Sequence, residues 1–324
     1  MSLVEYSVQL PFSTIKAEQV LPYASLVEWT GARRLWQGQT FTVEPHQAFT
    51  FLAGTGTRIP VGLGVTLMPL RHPFEAAIQA ASMARIIGQD LTIGYGPGGR
   101  NFQAMLRAAP YRSPLTATRE YVQIVKGLLA GGLVEFVGEY FTCHGAVSST
   151  PVPRVEVAMG VLRERMATLA GQVADAAITW LTPAQYLRDT VVPALRAGAA
   201  EAGRRPPRLV AIVPLALSRP GRTASELALA SNAAHLQAPH YQDMLRKAGV
   251  DVAKGHAPEQ AAGAVVNAGA FLYGDADFLV RGLKEYEAAG VDEVVLNLTG
   301  VYNSAGPAKT LAELKLLLKT VGVL

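Results

Sequence analysis

The chain has 324 residues, 50% of them hydrophobic, enough to build a large core as one barrel or as two smaller domains. Its 29 Lys and Arg against 25 Asp and Glu leave a net charge of +4. The basic residues are scattered, which speaks against a nucleic-acid surface and suits an anionic small molecule. The single cysteine, Cys143, excludes an internal disulfide and a cysteine-built zinc site and fits a reducing cytosol. The first residues, Met1 to Val8, lack a basic and apolar leader, and no apolar run reaches about 18 residues; neither secretion nor membrane crossing is expected.

Tyr6–Leu10 reads as a first strand, ending at Pro11. Apolar positions at helical spacing follow over Ile15–Thr30, closed by Gly31, and Arg34–Gln37 is a short second strand. Pro45 opens a helix through Ala53. The stretch from Arg58 to Pro73 is β-branched and glycine-rich, with no charge between its first residue and Arg71, as expected of a buried parallel strand. It turns through Pro69 and Pro73 into a helix over Phe74–Arg85. Gly62 and Gly64 strip side chains from this strand. Either they relieve crowding between strands, or something flat lies against the backbone there.

Asp90–Gly94 is the fourth strand and runs into Tyr95-Gly-Pro-Gly-Gly99, where backbone can approach a ligand closely. The spacing is not that of a dinucleotide-binding fingerprint. A helix over Leu115–Leu129 precedes a Val134–Phe141 segment suited to an outer hairpin. Val155–Met159, Ala174–Trp180, Arg208–Leu217 and Val291–Leu298 complete the strands. Between them lie a helix over Arg163–Gln172, one starting at Thr182-Pro183, a long helical stretch over 223–267 broken at Lys254–Pro258, and one over Asp277–Ala289. Thr310–Val321 is a terminal helix.

Strand and helix alternate eight times with no linker between. That pattern predicts an α/β fold, an eight-stranded parallel β/α (TIM) barrel, in one domain over 1–324 with an inserted helical segment around 222–267. Ligand chemistry is then expected at the carboxyl ends of the strands: Gln37–Thr40, Gly64–His72, Gly94–Gly99, Met159–Arg165, Thr179–Leu181 and Asn297–Gly300.

Seven segments, taken in order, carry a resemblance. They are Leu35-Trp-Gln-Gly-Gln39, Pro60-Val-Gly-Leu-Gly-Val-Thr-Leu-Met-Pro-Leu-Arg-His-Pro73, Leu91-Thr-Ile-Gly-Tyr-Gly-Pro-Gly98, Arg119-Glu-Tyr121, Phe136-Val-Gly-Glu-Tyr-Phe141, Leu169-Ala-Gly-Gln-Val-Ala-Asp175 and Tyr286-Glu-Ala-Ala-Gly-Val-Asp-Glu-Val-Val295. Together they resemble the bacterial luciferase-like flavin-dependent oxidoreductases along nearly the whole chain. The resemblance implies a homodimeric barrel enzyme using coenzyme F420, a deazaflavin, or FMN. It places a non-proline cis peptide at Gly64-Val65, behind the flavin ring, and a wall of the site at Gly96, Pro97 and Gly98. The phosphate site falls on the turn Gly160-Val161-Leu162-Arg163-Glu-Arg165. Gln37, Thr66 and Trp180 join the cofactor-binding set. A helix start suits an anion; Arg163 and Arg165 either add charge-assisted bonds or belong to a solvated helix face.

One departure narrows the chemistry. Relatives that oxidise alcohols or sugar phosphates carry Asp-His where this chain has Gln39-Thr40, and a Glu near Gly99. Without a base to take the alcohol proton, such a dehydrogenase is not expected. Gln39, Thr40 and His72 are the candidate catalytic residues, Gln39 to orient a ring or substrate carbonyl. His72, beside Pro73, either lines the pocket or serves as a local hydrogen-bonder. Trp36 and Trp180 are core or pocket-wall aromatics. His235, His240 and Tyr241 either form a lid over the substrate or lie on the surface. Cys143 reads as structural. No metal, nucleic-acid or membrane partner is expected. The favoured expectation is a cytoplasmic reductase delivering hydride from reduced coenzyme F420 to an activated C=C or C=N bond. A small molecule or a peptide is the expected substrate, an unsaturated residue of a peptide natural product being one case. The alternatives are an FMN-dependent monooxygenase using reduced flavin and oxygen, and a non-catalytic barrel subunit.

Overall fold

A computed structural model describes residues 4–147, 150–252 and 257–324. The strands are β1 (Glu5–Gln9), β2 (Leu35–Gln37), β3 (Val61–Leu67), β4 (Leu91–Gly96), β5 (Val134–Val137), β6 (Thr142–Gly145), β7 (Val155–Gly160), β8 (Ala176–Trp180), β9 (Arg208–Leu217), β10 (Leu272–Gly274) and β11 (Glu293–Asn297). Eight of them close in the order β1-β2-β3-β4-β7-β8-β9-β11, every pair parallel, with β8 joined to β9 and β11 back to β1. The expected eight-stranded barrel is therefore the fold. β10 pairs with Leu215–Leu217, the part of β9 that runs past β11, and β5 with β6 makes the outer hairpin.

Local chemistry sets the helices that pack around this cylinder. The helix Pro73–Ile87 starts where the His72 ring accepts the Phe74 amide and Pro73 supplies a preset first position. It buries Ala76, Ala77, Ala80, Met83 and Ala84, and stops at Gly88, which takes a left-handed φ of 69°.

Several boundaries depart from expectation, most of them at prolines. The helix expected over Ile15–Thr30 is a 3-10 turn, Ala17–Val20, leading into Leu21–Glu28, because Pro22 has no N–H for a continuous ladder. The helix after Pro183 widens into a π turn at Leu187–Val191, where Pro193 in the next segment donates nothing back. The stretch over 223–267 is three helices, Ala224–Gln237, Pro239–Lys247 and Pro258–Asn267. Of its expected break at Lys254–Pro258, residues 254–256 lie outside the described residues, as do Met1–Leu3 of the supposed leader-free start. The last helix begins at Thr299 and is broken at Gly306, before Pro307, rather than starting at Thr310. The helix Arg100–Leu106 and strand β10 were not expected; seven and three residues are too short for periodicity to register.

Candidate active site

The barrel interior is built in layers. At its amino-terminal end, Arg34 and Arg208 meet Glu293 at 3.1 and 3.0 Å, and Arg208 meets Glu156 at 3.0 Å. Ser7 and Thr92 donate to Glu293 and Glu156 at 2.5 and 2.7 Å. Each buried charge thus has an opposite partner and hydrogen bonds, the condition under which burial is tolerated.

Above it lies the indole of Trp36, fully buried, with Nε1 donating to Glu293 at 2.7 Å. Its ring occupies the space that Gly62 vacates: a Cβ there would stand 2.3 Å from Trp36 Cδ2. The flat object against the glycine strand is, at Gly62, the chain's own tryptophan. This corrects the expectation of a ligand at that level and raises the candidate site toward the mouth.

The Gly64-Val65 peptide is cis, as the resemblance implied, and the pairing of β3 with β4 shifts between Leu63 and Thr66. Val65 turns inward and packs against the inner cluster that includes Trp36, Ile178 and Ile212. A Cβ at Gly94, Gly96 or Gly160 would lie 2.8, 3.1 or 3.3 Å from the Val65 methyl groups. Gly96 and Gly160 make room for Val65, and Gly94 for both Val65 and Ile178, whose Cδ1 would lie 2.5 Å from a Cβ there. Bulge, valine and glycine ring form a smooth apolar platform across the barrel above Trp36.

Around this platform stand the candidate residues. The Gln39 amide donates to Val65 O at 3.2 Å, fixing the loop after β2 to the bulge. Gln39 Nε2 donates to Thr40 O at 2.9 Å, while its Oε1 is buried without a partner. Thr40 donates to Val43 O at 2.5 Å. Gln37 lies on the opposite face of β2 from Trp36 and donates to Thr14 at 2.6 Å. Thr66 donates to Gly94 O at 3.4 Å. His72 is exposed and caps its helix, the local role among the two considered for it. Gly98 takes a φ of 71° against Phe102, and a Cβ at Gly99 would lie 3.7 Å from His240 Cε1.

The turn after β7 is pinned by the Val161 amide donating to Ile178 O at 2.8 Å. It leads into the helix Glu164–Val173, whose first turn has no side-chain cap. The Met166 and Ala167 amides donate to Arg163 O at 3.0 Å, which leaves the N–H groups of Glu164 and Arg165 open to an acceptor. Arg163 sits at the cap position and pairs with Asp243 at 3.0 Å; Arg165 is exposed.

Trp180, at the end of β8, stacks on His235 with centroids 5.1 Å apart and planes at 20°, and its Nε1 donates to Asn232 at 3.1 Å. His235 packs edge-on to Tyr241 at 4.9 Å, and Tyr241 lies 5.0 Å from His240. The helices Ala224–Gln237 and Pro239–Lys247 therefore cap the mouth between Trp180, Gly99 and Arg163. Burial, with His240 nearby, holds the His235 imidazole down at about 4, so it is neutral near pH 7. Burial and Arg163 lower His240 as well. Leu181, next to Trp180, is buried with a φ of 54°, rare for leucine, and no sequence signal marks it.

Gln9, buried at the end of β1, has no counterpart among the expected site residues; Asn297, buried at the end of β11, lies at a strand end expected to carry ligand chemistry but with no role expected of it. Cys143 is buried in the outer hairpin, and burial pushes its thiol up, away from reactivity.

An apolar platform at the carboxyl-terminal mouth of a closed parallel barrel is the geometry of a ligand site. The chain matches the luciferase-like monooxygenase family over residues 4–293 and belongs to it. It is 31% identical over 192 residues to a 5,10-methylenetetrahydromethanopterin reductase of Methanolobus tindarius, covering 58% of this chain and 57% of that one. The chain thus spans little more than half the length of that curated relative. Among solved structures, an F420-dependent secondary alcohol dehydrogenase in complex with an F420–acetone adduct superposes with a TM-score of 0.75 at 16% identity, over 99% of both chains. The oxygenating constituent of 3,6-diketocamphane monooxygenase from Pseudomonas putida, in complex with FMN, gives a TM-score of 0.72 at 15% identity, over 99% of this chain and 98% of that one. Among the described residues no helix is long and apolar enough to cross a membrane.

Proposed function

We propose that the protein is a reductase that binds reduced coenzyme F420 and directs hydride to an activated C=C or C=N bond. The observation that carries this reading is the neutral chemistry at the tip of β2. Gln39 and Thr40 stand where an alcohol-oxidising relative needs a titratable pair, and neither can take a proton from an alcohol. The similarity to a methylenetetrahydromethanopterin reductase supports the same direction.

The residues fit the cofactor at three points. The Val65 platform, cleared by Gly94, Gly96 and Gly160, offers a flat apolar bed for a tricyclic ring. The uncapped start of the helix Glu164–Val173, flanked by Arg163 and Arg165, suits a phosphate. The unpartnered Gln39 Oε1 suits an N–H of a ring or substrate. When bound, the reduced ring supplies the hydride. The chain's own work is to hold and screen. Gln39 N–H to Val65 O keeps the β2 loop in register with the bulge, Trp36 closes the barrel below, and Trp180, His235 and Tyr241 shield the mouth from water. A homodimer in the cytoplasm remains part of this proposal, as does a peptide or small-molecule substrate.

A second reading, an FMN-dependent monooxygenase, draws on the likeness to the FMN-bound diketocamphane enzyme. Titration of the purified protein with coenzyme F420 and with FMN, followed by fluorescence quenching, separates the two. Micromolar binding of coenzyme F420 with none of FMN is the expected result. The reverse favours the monooxygenase, and binding of neither overturns both in favour of a non-catalytic barrel.

A further inference from the structure

Ser7 on β1 and Glu293 on β11 meet inside the barrel, so Gln9, two residues beyond Ser7, and Asn297, four beyond Glu293, share that inner face. The register that pairs Val8 with Leu296 sets them side by side. Gln9 is 3% exposed and Asn297 0%. Asn297 Oδ1 accepts from the Thr299 amide at 3.0 Å and from its hydroxyl at 2.6 Å. A backbone N–H only donates, so the atom facing it is oxygen and the orientation of the Asn297 amide is fixed. Its Nδ2 is left without a partner, and so is Gln9 Oε1. A donor and an acceptor therefore stand on neighbouring strands, buried, and bonded neither to each other nor to the protein. Further down the same two strands, Ser7 and Glu293 bond to each other, and Glu293 is met by Trp36, Arg34 and Arg208. Orphaned polar groups in a buried position signal a missing partner.

We propose that Gln9 and Asn297 form a subsite for the adjacent N–H and C=O of a lactam, imide or secondary amide, Asn297 donating to the carbonyl and Gln9 accepting the N–H. Both side chains are neutral, so the subsite has no preference for a carboxylate or an ammonium group. It deepens and rests on the reading of the mouth as a redox site. The matching edge has two sources there, the imide of the cofactor ring and an amide of the substrate.

Gln9→Met and Asn297→Leu keep volume and remove the polar pair; Gln9→Met, which leaves the Thr299 contacts intact, covers the case in which Asn297→Leu does not fold. Each variant and the parent are titrated with coenzyme F420 and FMN by fluorescence, and with piperazine-2,5-dione and its N,N′-dimethyl form by saturation-transfer NMR. Binding of a cofactor weakened at least tenfold assigns the edge to the ring. A dione signal present in the parent, lost in the variants and absent for the dimethyl form assigns it to the substrate. Variants that fold and leave both arms unchanged overturn the subsite, the pair then holding only water. If the parent binds neither cofactor the redox reading fails, while the dione arm still decides the subsite.

Discussion

At Gly62 one added methyl group would stand 2.3 Å from Cδ2 and 2.4 Å from Cε3 of Trp36, atoms of a rigid ring held at its far end by Glu293. The indole cannot swing away without abandoning a buried hydrogen bond. Gly62→Ala is expected to cost about 1–3 kcal/mol through overpacking. Urea denaturation measures it, and Trp36→Leu combined with Gly62→Ala should cost less than the sum of the single changes. The sequence offered two readings of this glycine. Choosing between them needed the partner on the neighbouring strand, since Trp36 and Gly62 meet only through the β2–β3 register.

At the scale of elements, two of the family-like segments turn out to be one contact. Glu120, in the helix Pro114–Leu129, accepts the amides of Glu139, Tyr140 and Phe141 at 2.7, 2.9 and 3.0 Å. Gly138 precedes them because a Cβ there would lie 2.4 Å from the Glu120 carboxyl carbon. A carboxylate nested in three N–H groups holds the outer hairpin to the barrel. Glu120→Gln would turn an NH2 toward a backbone donor and is expected to destabilise the fold by about 1.5–3 kcal/mol, read as a fall in Tm. Asp175 and Asp292 act alike: Asp175 accepts from the Val157 amide at 3.0 Å and Asp292 from the Leu209 amide at 2.8 Å, tying strand starts together. These motifs are therefore structural. Their types and order were legible in the sequence, but their partners lie far away along the chain, where spacing carries no information.

For the molecule as a whole, acid acts through the mouth and the wall behind it. His235 has a folded pKa of about 4 against an ordinary 6.5, so between those values the unfolded chain binds a proton that the folded chain refuses. Its contribution to stability is full above pH 6.5 and is lost as pH falls toward 4. Burial raises Glu44, but the His46 hydrogen bond and charge and the Arg71 charge more than offset this and hold it at about 2 against 4.5. Its contribution is present above pH 4.5 and is lost as pH falls through 2. Tm measured across pH 8 to 2 is expected to decline in both windows. His235→Phe, which keeps an aromatic ring on Trp180, should flatten the upper one, and Glu44→Gln the lower.

Periodicity, glycine placement and proline punctuation by themselves determined eight strands alternating with helices, and so a closed parallel barrel with its chemistry at the carboxyl ends. Hydrophobic patterning along a chain reports which face of each segment is buried, and eight such faces have one economical closure. Only the tertiary structure decided that Trp36 fills the lower barrel, that Val65 floors the mouth, that His235 and Tyr241 cover Trp180, and that Gln9 Oε1 and Asn297 Nδ2 are left without partners. Those outcomes depend on which side chains meet across strands and over the rim, and a pairing between residues tens or hundreds of positions apart leaves no trace in local sequence.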